Sequence, residues 1–171
     1  MPIKKPFFLC LLFTILSISV LLGQATFEVP QNAEFKTKED YAKYEASVID
    51  AAKWLESTDL DKETEKRKQV NGFVSQWLSG SPTVNVDIGE NLLKLYGKNA
   101  ELLGIYIASY ARNFLENRNT ATKFSATKAG LTSMMNVYEK GINVSRSKEL
   151  EKLIKLTEEN KLDQYINDNF R

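Results

Sequence analysis

From Leu102 to Ala111 the chain reads LLGIYIASYA, ten residues without a charge on any face. The apolar spacing of the surrounding segment, AELLGIYIASYARNFLEN, is helical, with Asn99 placed to cap it. A helix that presents apolar residues all round has to be covered on several sides. The rest of the fold is therefore expected to wrap around this segment. Gly104 within it leaves room for a neighbouring helix to approach closely. Arg112 follows the uncharged run at once, and a partly buried guanidinium there needs a carboxylate partner. It serves either as a structural ion pair or as an anchor for an anionic ligand.

The covering segments are also helical in period. Thr37 precedes KEDYAKYEASVIDAAKWLES, where Tyr41, Tyr44, Val48, Ala51, Ala52 and Leu55 recur at three and four. Thr37 with Asp40 has the form of a capping box, Asp standing in the usual Glu place. This helix is expected to run to about Glu56. A second starts near Asp61 with Val70, Phe73, Val74, Trp77 and Leu78 inward and Glu63 paired with Arg67 at i,i+4. Asn71-Gly72 has the composition of a hairpin turn, yet the apolar spacing continues across it, so helix prevails and Gly72 costs about 1 kcal/mol relative to Ala. Gly80 and Pro82 end the helix. Beyond the central segment come a helix from about Ala121 to Gly141, one capped by Ser147, and a short last one holding Leu162, Tyr165, Ile166 and Phe170. The expectation is an all-α chain of about seven helices in antiparallel hairpins, closed as a bundle or stacked as a short solenoid.

One stretch breaks the helical rule. In SGSPTVNVDIGE, residues 79–90, Val84, Val86 and Ile88 alternate with Asn85 and Asp87 as in a strand. A strand needs a partner for its backbone groups. The only other short alternation, Phe27 and Val29, is ended by Pro30, and a lone two-stranded ribbon is marginal. Asp87-Ile-Gly-Glu90 also has capping-box form at the start of the next helix. Residues 83–86 are therefore read as an extended connector whose valines dip into the core.

Residues 1–25 read as a signal peptide. Lys4 and Lys5 precede the uncharged run Phe7 to Leu22, and Gly23 and Ala25 take the −3 and −1 positions of a cut after Ala25. A membrane anchor wants about 20 apolar residues, and a lipoprotein wants a cysteine at the cut. The chain would thus be periplasmic or secreted, with residues 26–36 as an extended lead-in and 37–171 as one helical domain. It would touch the membrane only through the peptide before cleavage. Cys10 leaves with that peptide, so the remaining chain has neither cysteine nor histidine, and its fold rests on packing alone. Without Lys4 and Lys5 the balance is 21 basic against 22 acidic residues, which gives no basic footprint for nucleic acid.

That composition restricts the chemistry. Ser-His and Cys-His nucleophiles and His or thiolate zinc sites require side chains the chain lacks after residue 25. Asp59, Asp61, Glu63 and Glu65 in DLDKETE mimic calcium-loop ligands, but Thr64 and Val70 stand where an EF-hand wants glycine and a bidentate glutamate. No metal and no cofactor is implied. Glu90 and Glu101, nearest the connector, are the carboxylates for a small hydrolase acting on envelope polymers; capping and first-turn charge explain both. Trp54, Trp77, Tyr106, Tyr110 and Phe114 read as core before they read as the wall of an apolar-ligand pocket, which wants about 300 Å³ or more. Asn143-Val-Ser145 fits a glycosylation sequon and reads as a polar loop.

The order Trp77-Leu-Ser-Gly-Ser-Pro82, an extended connector, NAELLGIY and then EKLIKLTEENKLDQYI resembles a group of small exported helical proteins from bacteria. The resemblance spans most of the chain after residue 25. It implies a helical fold and export, and it supplies no activity and no site residues. YEKGINV further resembles the end of a second tetratricopeptide-repeat helix, with Gly141 in place of alanine and Arg146 in place of proline, and NAELLGIYIASY resembles a first repeat helix. The expected function is a non-catalytic binding or interaction module for another protein or an envelope component. Trp77, Thr83, Asn85, Asp87 and Arg112 are its candidate binding residues, with the hydrolase as the alternative.

Overall fold

The computed structural model describes residues 26–170. The signal-peptide reading and Cys10 fall outside the described residues. Eight helices follow one another: α1 Lys38–Lys43, α2 Glu45–Ser57, α3 Thr64–Ser79, α4 Glu90–Tyr96, α5 Ala100–Glu116, α6 Lys123–Glu139, α7 Lys148–Glu158 and α8 Leu162–Asn169. The described residues contain no strand, so the chain is all-α as its periodicity demands.

The one additional helix comes from a break in the first segment. Tyr44 leaves the helical region (φ −102°, ψ 4°), ending α1 and starting α2. Aromatic packing occupies the break. Phe35 of the lead-in lies between Tyr41 and Tyr44 with both ring centroids at 5.4 Å, and Tyr44 stands edge-on to Phe73 of α3 at 6.1 Å. The lead-in is thus extended but not idle, for Phe27 is buried and Val29 and Phe35 pack on the core. The Thr37–Asp40 capping box forms as expected, with the Asp40 carboxylate accepting from Thr37 N at 2.9 Å and Thr37 Oγ1 accepting from Asp40 N at 3.3 Å.

α5 is the axis of the molecule. It packs against α2, α3, α4 and α6, while α7 and α8 close the bundle over α4 and α6. With α2 and α6 giving α5 most of its covering, the helices form an all-α bundle. Leu102, Ile105, Ala108 and Ala111 are fully buried on it, with Tyr106 and Tyr110 nearly so. Two glycines set how closely its neighbours come. A Cβ on Gly104 would fall 2.4 Å from the Asn71 side chain of α3, and one on Gly130 of α6 would fall 2.7 Å from the Tyr106 ring and 2.9 Å from the Tyr106 carbonyl oxygen.

Three local expectations are corrected. α3 starts at Thr64 with no side-chain cap, and Glu63 pairs with Lys66 at 3.5 Å. Arg67 instead turns inward, buried, and donates to the carbonyls of Leu55, Thr58 and Asp59 at 3.2, 2.5 and 3.2 Å. Those are the orphan acceptors at the end of α2, which a guanidinium fork satisfies better than a solvated carboxylate uses the arginine. Asn99 stands at the N-terminus of α5 without capping it. Its amide clamps the loop before α7, donating to Ser145 O at 2.9 Å and accepting from Ser145 N at 2.6 Å. Asp87 does not cap α4 either, because that helix starts later, at Gly89 and Glu90, where the Gly89 carbonyl accepts from Leu92 N and Leu93 N.

Candidate functional site

The connector leaves α3 through a hydroxyl-stabilised turn. Ser81 Oγ accepts from Val84 N at 3.2 Å and meets Thr83 Oγ1 at 3.3 Å. Residues 84–89 then run without helix or turn. The period-two alternation holds at first and fades along the segment: Val84 is 2% exposed, Val86 is half-buried, and Ile88 is 42% exposed. Asn85 and Asp87 project outward, as the alternation requires. Among the described residues, the N–H groups of Asn85, Val86, Asp87 and Ile88 have no acceptor, and the one carbonyl held there is that of Asn85, which accepts from Tyr110 Oη at 3.2 Å.

Two hollows flank this segment. A shallow groove is lined by Ser75 and Leu78 of α3, Val86 and Ile88 of the connector, and Ile107 of α5. Leu93 of α4, 44% exposed, is with Ile88 one of the two large apolar side chains most open to solvent among the described residues. A separate cavity of about 150 Å³ lies among Asp87, Leu92, Tyr106, Tyr110, Lys123 and Thr127. Burial pushes the Tyr110 hydroxyl up to about 12, with Tyr106 and Asp87 nearby adding to the effect. Tyr106 is raised as well, by burial first, against a hydrogen bond with Thr127 that lowers it. Both phenols therefore remain neutral at physiological pH. Asp87 Oδ2 lies 3.6 Å from Lys123 Nζ, and Glu90 is tied to Lys94 at 2.7 Å.

The expected binding residues separate into three settings. Thr83, Asn85 and Asp87 share the exposed side of the connector. Trp77 is fully buried with its indole N–H donated to Tyr41 O at 3.0 Å, so it supports the connector from within. Arg112 lies apart, its guanidinium 2.5 Å from Glu56 Oε2 and 3.7 Å from Glu116 Oε2, which supplies the carboxylate partner its burial demands. Lys123 had no signal in the sequence, since it reaches Asp87 from the first turn of a helix 36 positions on.

The carboxylates nearest the connector do not form a pair. Glu90 lines the cavity, whereas Glu101 accepts from Asn71 Nδ2 at 3.2 Å elsewhere. Asp87 and Glu90 do share the cavity, but hydrogen bonding to Lys94 and its charge hold the Glu90 carboxyl below the usual range. A glycosidase acid needs the opposite shift. In DLDKETE the acids diverge, Asp59 toward Lys140, Asp61 toward Lys62, Glu63 toward Lys66 and Glu65 toward Lys68. Among the described residues no group of three or more acidic, His or Cys side chains is placed to hold a metal ion. No described helix is long and apolar enough to cross a membrane. Comparison with protein-family models, with curated proteins and with solved structures gives no match to this chain.

Proposed function

We propose that this is an exported, non-catalytic binding protein of the cell envelope, periplasmic or secreted, that engages another protein along the connector. The observation that carries the reading is the row of backbone N–H groups of residues 85–88 without a protein acceptor, beside the groove of Leu78, Val86, Ile88 and Ile107. An extended peptide laid along such a segment gains main-chain hydrogen bonds, and an adjacent apolar groove selects its side chains. Thr83, Asn85 and Asp87 would read the polar side of the same peptide, and Trp77 would keep the connector in place from beneath. Export is supported by the lysine, apolar and Gly-x-Ala order of residues 4–25 and by the resemblance to small exported helical proteins. The hydrolase alternative draws least support, because Glu90, the acid at the cavity, is stabilised in its ionised form by Lys94.

The test is a pull-down from envelope extract with the wild type, the Thr83→Ala/Asn85→Ala double variant and Ile88→Glu. Both variants alter exposed side chains and are expected to fold. Loss of a wild-type partner from both supports the connector as the contact. Identical partners from all three proteins remove it from consideration.

A further inference from the structure

The cavity beside Tyr106 and Tyr110 carries a different chemistry from the groove, and of the residues assigned to the partner reading it shares Asp87 alone. Its inner surface is mixed: the Tyr106 and Tyr110 rings, with centroids 6.0 Å apart, Leu92 and Phe170 give it an apolar wall, and Thr127, Asn91 and Asn169 add polar groups. Both phenol hydroxyls are engaged, Tyr106 with Thr127 and Tyr110 with the Asn85 carbonyl, so this surface offers ring faces more than free hydroxyls. Its mouth is charged. Asp87 and Lys123 face one another there at 3.6 Å, beyond the 2.7–2.9 Å range of a charge-assisted hydrogen bond. Surface pairs elsewhere either close, as Glu90–Lys94 does at 2.7 Å, or stay open, as Lys62–Asp61 does at 3.5 Å, and Asp87–Lys123 belongs to the open ones. An exposed, unclosed pair contributes little to folding and yields readily to a better partner.

The arrangement restricts what fits. A lone anion at the mouth would meet the carboxylates of Asp87 and Glu90, a lone cation would meet Lys123, and a neutral molecule would leave the pair unused. We infer that the cavity binds a small zwitterion, an α-amino acid with an apolar side chain. Its ammonium lies on the Asp87 carboxylate, its carboxylate on the Lys123 ammonium, and its side chain against the two tyrosine rings. Size agrees with charge, since a cavity of about 150 Å³ holds a group of about the bulk of benzene. That is the scale of a leucine or phenylalanine side chain.

The experiment is calorimetric titration of the purified protein with L-leucine, N-acetyl-L-leucine amide and glucose, read alongside backbone amide shifts of Tyr106, Tyr110 and Lys123. L-leucine is expected to bind and to move those three resonances, and the uncharged derivative and the sugar are expected not to. Asp87→Asn and Lys123→Gln, both at exposed positions, each remove one charge-assisted contact and are expected to weaken leucine binding by about tenfold or more. Their thermal midpoints without ligand should match the wild type. L-leucine leaving the resonances unmoved, either neutral probe binding as tightly as L-leucine, or unchanged affinity in both variants would overturn the assignment.

Discussion

Arg112 reaches across from α5 to place its guanidinium 2.5 Å from the Glu56 carboxylate at the end of α2. The same carboxylate accepts from Ser109 Oγ at 2.5 Å and from Ser133 Oγ of α6 at 2.9 Å, so one glutamate joins three helices. Glu56→Ala takes the shared carboxylate from an arginine and two hydroxyls in a largely shielded site, leaving Arg112 with Glu116 at 3.7 Å and Ser109 with the Ile105 carbonyl at 2.8 Å. A loss of about 2–3 kcal/mol is expected, measured as a lowered urea midpoint with unchanged slope.

Arg67 gives a second stability test. Its fork satisfies three carbonyls at the end of α2 while its face lies 5.5 Å from the Trp54 ring centroid. Arg67→Ala is expected to cost about 3 kcal/mol or more, and Arg67→Lys to recover less than half of it, because a point charge cannot reach three divergent acceptors. Chemical denaturation of the two variants checks the order.

Three glycines in helices should respond differently to alanine. Gly72 has nothing within 4 Å of an added Cβ, so Gly72→Ala is expected to stabilise by about 1 kcal/mol. Gly130→Ala drives a methyl group into the Tyr106 ring and carbonyl and is expected to destabilise by about 1–3 kcal/mol. Gly104→Ala meets the Asn71 side chain, whose displacement would cost its hydrogen bond to Glu101 but moves no backbone, and should fall between them. Thermal midpoints of the three single variants decide the ranking.

The pH profile follows from side chains with displaced proton affinities and from the absence of histidine. Backbone hydrogen bonds from Thr37 and Lys36 lower Asp40, so its contribution is present above the ordinary carboxylate range and is lost as pH falls through the lowered value. Burial raises Tyr110 to about 12, so its contribution is intact below about pH 10 and disappears as pH rises toward 12. The thermal midpoint should therefore be nearly level from about pH 5 to 9 and fall on both sides. Asp40→Asn should shallow the acid limb. In Tyr110→Phe the alkaline limb should shallow, with a loss of about 1 kcal/mol at neutral pH from the missing bond to Asn85 O.

Much of the helical order is legible in the residues because it depends on local period and local stops. The uncharged run of α5 identifies the axis, Thr37 and Ser147 identify two caps, and Gly80 with Pro82 marks the end of α3. What escapes is whatever depends on distant partners. Arg67 looks like half of an i,i+4 pair, and only the position of α2 shows that its acceptors are carbonyls. Asp87 and Asn99 have the right composition for caps, yet a helix that begins two residues late frees the first for Lys123, and the loop at Ser145 claims the second. At the candidate site, the outward side of Asn85 and Asp87 is readable from alternation. The cavity is not, because Tyr106, Lys123 and Leu92 meet only after three helices have closed around it.

The position of α5 has a consequence for the nascent molecule. Half of its covering arrives from segments made before it and half from segments made after it, so no terminal portion of the chain encloses it unaided. Until α6 docks, a greasy cylinder lies open to any passing surface. Escorts that keep such chains from clumping would have to hold this one until its final third is free.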